Sequence, residues 1–162
     1  MAKGELKNQL ADDPVVQRIY RIPRVRIAMV REGTVAVEQK RIGSPADVFS
    51  AVHGLLADTD REYFLVLTLN TKNCLNSINV VSIGSLNSSL AHPREVYKLA
   101  ILGNAAAIIC VHSHPSRDVT PSAEDIEITH RLVEAGKILG IELLDHIIIG
   151  DSYVSLKERG VV

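Results

Sequence analysis

The stretch AAAIICVHSHP constrains the fold of this chain more than any other. Residues 105–111 form a continuous apolar run, the pattern of a central strand covered on both faces, and the run ends directly in His112-Ser113-His114 before Pro115 turns the chain. A strand of this kind needs a layer on each side of its sheet, so the flanking segments must supply helices to cover it.

The flanking segments carry the signals for such layers. Ser44-Pro45-Ala46-Asp47 is a helix start, with Ser as N-cap and Pro at the first helical position, and Val48, Ala51, Val52, Leu55 and Leu56 follow at helical spacing to an end near Asp58. YFLVLTL (63–69) reads as a buried strand, Asn70–Asn73 as a turn, and Cys74–Ile83 as the returning hairpin partner. Ser85–Ser89 is a polar loop, and a second helix opens at Pro93 and closes at Gly103-Asn104. A third runs from Ser122 to about Leu139 with Gly140 as its stop, and IELLDHIII (141–149) and YVSL (153–156) supply two last strands. Upstream, RIPRVRIAMVREGTVAVEQKRI predicts two strands around a turn at Glu32-Gly33. The expectation is a three-layer α/β sandwich around a mixed sheet, one compact domain over 44–162 preceded by a polar segment and β-hairpin over 1–43.

Composition narrows the class of function. With 162 residues, 46% hydrophobic but only 4% aromatic and no Trp, the chain has one aliphatic core. A formal net charge of -1 gives no global pull toward nucleic acid or anionic membrane. A local surplus of positive charge does occur at Arg18, Arg21, Arg24, Arg26, Arg31, Lys40 and Arg41; solvated strand faces are the plain explanation. The two cysteines, Cys74 and Cys110, sit in apolar runs and do not suggest a disulfide framework. The N-terminal MAKGELKNQLADD has no apolar stretch, and no segment approaches about 18 uninterrupted apolar residues. A cytoplasmic protein without a membrane helix is expected.

Chemistry concentrates in HSHPSRDVTPSAED, residues 112–125. If the strand persists through His114, His112 and His114 project to the same side, because strand side chains alternate with period two. Asp125, in the first turn of the next helix, can be folded back toward them by the loop. Two His and one carboxylate leave a fourth position open, the arrangement of catalytic rather than structural zinc. A competing explanation is that Ser122 and Asp125 form a capping box, which uses the same S-x-x-D spacing. One carboxylate would not readily cap its own helix and also bind zinc. The paired histidines upstream decide for the metal, since core histidines usually occur singly.

The run HSHPSRDVTPSAED matches the JAMM motif of MPN-domain metallopeptidases, H-x-H-x7-S-x2-D, at every fixed position. More narrowly, LNSSLAHPREVYKLAI, NAAAIICVHSHPS, TPSAEDIEITHRLVEAGKILGIELLDHIIIGD and YVSLKERG resemble the bacterial RadC-like proteins over residues 44–160. The resemblance implies a cytidine-deaminase-like α/β sandwich with one zinc held by His112, His114 and Asp125. It makes Ser122 the oxyanion helper and Glu62, just before YFLVLTL, the general base. A deaminase itself is excluded, because the P-C-x-x-C ligands are absent. Two positions depart from the family pattern: Ser113 stands where Asn is usual, and Arg117 where Gly is usual, stiffening the loop and adding a charge at the rim. The DNA-binding helix-hairpin-helix module of full-length RadC proteins has no counterpart in the first 40 residues.

The resemblance therefore implies a zinc-dependent hydrolase of peptide or isopeptide bonds acting on a peptide or protein substrate. The alternative is a nucleic-acid-associated protein with a structural or vestigial zinc site, and a metal-dependent nuclease would share the same ligands. His146 is either a satisfied core histidine or a support for the site from a neighbouring strand. Asn87, Ser88 and Ser89 either bind an extended substrate or are ordinary loop polarity. Hydrophobic hairpin edges in the N-terminal part suggest a homodimer.

Overall fold

The computed structural model describes residues 20–84 and 91–162. Helix α1 (Pro45–Leu56) starts where the sequence predicts it: Ser44 Oγ accepts from Asp47 N, Asp47 Oδ2 accepts from Ser44 N, and Pro45 occupies the first position. Strands β1 (Glu62–Leu69) and β2 (Leu75–Gly84) form an antiparallel hairpin. Its turn is closed by Asn70, whose Oδ1 accepts from Lys72 N and Cys74 N. Then follow α2 (Pro93–Leu102), β3 (Ala107–Ser113), α3 (Ala123–Leu139), β4 (Glu142–Ile149) and β5 (Tyr153–Ser155).

The strands form one mixed sheet in the order β2-β1-β3-β4-β5. Only the β3–β4 pair is parallel, with α3 as its crossover. Strand β3 is buried at all seven residues, as a double-covered central strand must be. Its alternating side chains divide the core in two. Ile109 and Val111 join Leu65, Leu67, Ile147 and Ile149 under α1, where Val48, Val52 and Leu56 cover them. Ile108 and Cys110 join Phe64 and Val66 under α2 and α3, against Val96, Tyr97 and Leu132. Each large aliphatic side chain buried in these layers contributes about 1.5–3 kcal/mol relative to exposure. The three-layer α/β sandwich predicted from the sequence is therefore the observed one.

The hairpin predicted over residues 21–41 does not form. Residues 20–40 carry no strand, and the one bridge nearby pairs Arg41 with Cys74. The alternating pattern is present, but Ile22, Val25, Ile27 and Val30 are 73–87% exposed. An isolated two-stranded ribbon is marginal in water, and no layer of the sandwich packs on these side chains. The hairpin edges expected to pair two chains are thus not present among the described residues. Residues 1–19, and the loop carrying Asn87, Ser88 and Ser89, lie outside those residues. No helix described is long and apolar enough to cross a membrane.

Candidate metal centre

The site lies where the C-terminal end of β3 meets the N-terminus of α3 and the start of β1. His112 pairs in register with Phe64 and projects to the α2/α3 side of the sheet. Strand β3 ends at Ser113, one residue short of the expectation. The parallel ladder nevertheless continues through His114, whose N–H donates to Ile149 O at 3.1 Å. Both imidazoles consequently reach one place, with ring centroids 4.7 Å apart and planes at 88°.

Asp125 is brought to the histidines by the cap that starts α3. Its Oδ2 accepts from Ser122 N and from Ser122 Oγ, both at 2.8 Å, while Ser122 Oγ accepts from Asp125 N at 3.1 Å. Its Oδ1 lies 2.7 Å from His112 Nδ1, and Oδ2 lies 3.5 Å from His114 Nε2. The two oxygens of one carboxylate, which together offer about four acceptor sites, thus serve the cap and face the histidines at once. Ser122 likewise has its single hydroxyl proton directed to Asp125 Oδ2.

Glu62 opens β1, and its Oε1 lies 3.9 Å from His112 Nε2. Its side chain is 26% exposed, whereas that of Asp125 is 4% exposed. The neighbouring Tyr63 N donates to Ser113 Oγ at 3.0 Å. The serine between the histidines therefore ties the start of β1, and with it Glu62, to the end of β3.

The structure brings all five predicted residues to this corner. Ligand atoms of Glu62, His112 and His114 lie within 4.8 Å of one another, a group able to hold a metal ion; it contains Glu62, expected as the base, and not Asp125, expected as the third ligand. The environment of the rings fits such an ion. His114 Nδ1 lies 2.6 Å from the carbonyl oxygen of Asp118, which can only accept, so Nδ1 carries hydrogen and Nε2 faces the site. His112 is buried, and neither of its ring nitrogens has a hydrogen-bond partner; the short approach to Asp125 lacks hydrogen-bond geometry. A buried imidazole left with two orphan nitrogens is costly, and a cation held with Glu62 and His114 would satisfy one of them.

The charges agree with this picture. Burial alone would raise the pKa of Asp125. The adjacent His112 and His114 and the Ser122 N–H outweigh it and hold the carboxyl well below its usual range, so it is ionised. The contact with Asp125 raises the pKa of His114 against the opposing effect of burial.

Three residues that sequence reasoning missed or misplaced shape the loop. Arg117 has φ 62°, the left-handed region where glycine is at ease and other residues incur about 1 kcal/mol. Its charge does not stand free at the rim: Nη2 donates to Ala57 O, at the end of α1, at 2.5 Å. Gly150 lies so close to the loop that a Cβ there would meet Arg117 O at 2.2 Å. Asp118 turns its backbone carbonyl to His114, for which the sequence carries no signal, while its Oδ1 accepts from Thr120 N.

Residues 42–161 match the family described as the RadC-like JAB domain. The chain belongs to the RadC-like family. Among its relatives, a UPF0758 protein of Desulfitobacterium hafniense is 56% identical over 122 residues, which is 75% of this chain and 54% of that protein. UPF0758 proteins of Methanosarcina mazei and Syntrophomonas wolfei are each 51% identical, over 132 and 145 residues. These alignments cover 81% and 86% of this chain and 58% and 62% of the relatives. The chain thus spans a little over half the length of the curated UPF0758 proteins it matches.

Proposed function

We propose that this RadC-like chain is a zinc-dependent hydrolase of peptide or isopeptide bonds, with His112, His114 and Asp125 as metal ligands and Glu62 as general base. The observation that carries the reading is the pairing of a tautomer-fixed His114 with a buried His112 that has no hydrogen-bond partner. Two imidazoles and a carboxylate form a donor set suited to zinc with an open position. When bound, zinc would lower the pKa of a water molecule toward about 7 and polarise the scissile carbonyl.

The division of labour between the two carboxylates follows from their surroundings. Asp125 is buried and locked by its own cap, as a fixed ligand should be. Glu62 is partly open to solvent at a strand end, with room to take a proton from the attacking water and return it to the leaving amine. Ser122 Oγ–H is the hydroxyl suited to stabilising the developing oxyanion, turning from Asp125 Oδ2, which keeps the Ser122 N–H.

Elemental analysis of the wild type beside the His112→Ala/His114→Ala double variant tests the site. About one zinc per chain, lost in the double variant, supports it; no uptake by the wild type rejects it. Activity is then sought on peptide and isopeptide substrates with Glu62→Gln as control. That variant is expected to keep metal and lose at least about 100-fold in rate.

A second reading rests on one observation. Arg21, Arg24 and Arg26 are exposed on a segment without helix or strand, and such side chains can contact phosphate. Binding of this kind must weaken steeply as salt rises, and a gel shift insensitive to salt would reject it.

A further inference from the structure

His146 lies on β4 beside Cys110, on the face of the sheet that carries His112, and is fully buried. Its ring stands 5.3 Å from Phe64 and 6.2 Å from His112, nearly parallel to the latter at 18°. Its Nδ1 is taken up by Thr129 and its ring stands 6.2 Å from that of His112, so the part it plays at the site is indirect. The route is a short chain of hydrogen bonds. Thr129 Oγ1 lies 2.5 Å from Asp125 O and 2.6 Å from His146 Nδ1. A hydroxyl has one proton, and a carbonyl oxygen only accepts. Thr129 therefore donates to Asp125 O and accepts from His146 Nδ1–H.

The far end of this chain is anchored. The His146 N–H donates to Asp145 Oδ1, Leu156 N donates to His146 O, and Asp145 also accepts from Ser155 Oγ and Lys157 N. A rigid β4–β5 corner thus holds the imidazole, which holds Thr129, which holds the first turn of α3. That turn sets how far Asp125 reaches toward His112.

We propose that His146 is a positioning residue for the metal centre: its Nδ1–H, through Thr129, fixes α3 so that Asp125 meets His112 and His114. The inference rests on the reading of those three residues as ligands. The geometry makes it specific to one nitrogen. Asparagine can present an N–H near the place of Nδ1, whereas glutamine presents its amide near the place of Nε2, which has no partner among the described residues.

The test is titration of the metal-free full chain with cobalt(II), followed by visible absorption, and competition with zinc. Each variant is first checked for cooperative thermal unfolding. His146→Gln and Thr129→Val are expected to bind at least about tenfold more weakly and with an altered cobalt spectrum. His146→Asn and Thr129→Ser are expected to recover affinity to within about threefold of the wild type. Thr129→Val, isosteric and chemically mild, keeps the test decisive if the His146 variants fold poorly. Wild-type affinity and spectrum in Thr129→Val would overturn the inference while leaving the ligand assignment standing. So would equal losses in the glutamine and asparagine variants with Thr129→Val unaffected. No metal uptake by the wild type would overturn both.

Discussion

Asp125 divides its two oxygens between two tasks: Oδ2 closes the cap of α3 through Ser122, and Oδ1 lies 2.7 Å from His112 Nδ1. The start of a helix and the corner of the candidate metal centre are therefore one structural unit. Stability and metal affinity are expected to be coupled there, and chosen substitutions separate them.

Asp125→Asn is the most direct separation. The amide oxygen can still accept from Ser122 N, so the helix start survives and the unfolding midpoint of the metal-free protein changes little. The anionic charge facing the histidines is lost, and zinc affinity should fall by at least about tenfold. Isothermal titration beside thermal unfolding checks both parts. An unchanged affinity would remove Asp125 from the ligand set.

Ser122→Ala acts on the same unit from the other side. Loss of an N-cap hydroxyl costs about 1 kcal/mol, readable in urea denaturation of the metal-free chain. Asp125 Oδ2 would retain the Ser122 N–H. Metal binding should therefore weaken less than in Asp125→Asn.

Arg117 gives a prediction of sign. Alanine at this position loses the bond to Ala57 O and keeps the left-handed backbone; glycine loses the bond and relieves the strain. Arg117→Gly should be more stable than Arg117→Ala by about 1 kcal/mol. Equal stabilities would show that the loop relaxes out of φ 62°.

Gly150→Ala is expected to be severe for so small a change. The added Cβ would meet Arg117 O, C and Cα at 2.2, 2.7 and 3.0 Å, and backbone on both sides leaves little room to yield. A loss of about 1–3 kcal/mol is expected, together with weaker metal binding as the loop carrying Asp118 is displaced from His114. Differential scanning calorimetry and cobalt titration give the two readouts.

Acid stability carries the mark of His146. Burial pushes its pKa down to about 3 from an ordinary 6.5, so the unfolded chain binds a proton there that the folded chain does not. The contribution is present in full above pH 6.5 and is lost as pH falls from 6.5 toward 3, at up to about 1.4 kcal/mol per pH unit. In metal-free protein, the advantage of the wild type over His146→Asn should shrink across that window. A constant difference would mean that His146 is charged in the fold.

Much of the fold and of the candidate centre is legible in the order of residues alone. The caps at Ser44 and Ser122, the stops at Gly103 and Gly140 and the run 105–111 are local signals, and each element they predict is present near its expected bounds. The residues of the candidate centre are legible for a related reason. Period-two alternation puts His112 and His114 together, and a short loop returns Asp125, so little depends on distant chain. The segment 21–41 shows the limit: it has the alternation of a hairpin, yet its apolar side chains are exposed, because periodicity specifies a face to bury and not whether anything covers it.

The sequence by itself determined the elements from residue 44 onward, the two-sided burial of β3 and the gathering of His112, His114 and Asp125 at its end, since these follow from local periodicity, capping and turn chemistry; Glu62 is legible only through the family resemblance. Only the tertiary structure decided what each side chain does there. That Asp125 caps and faces the histidines at once, that Asp118 O orients His114, that Arg117 reaches Ala57 and that His146 holds Thr129 depends on how the packed fold aims each side chain, whether its partner is four residues away or 60. Hydrogen-bond partners of this kind are chosen by proximity in the packed fold, and residue spacing does not encode them.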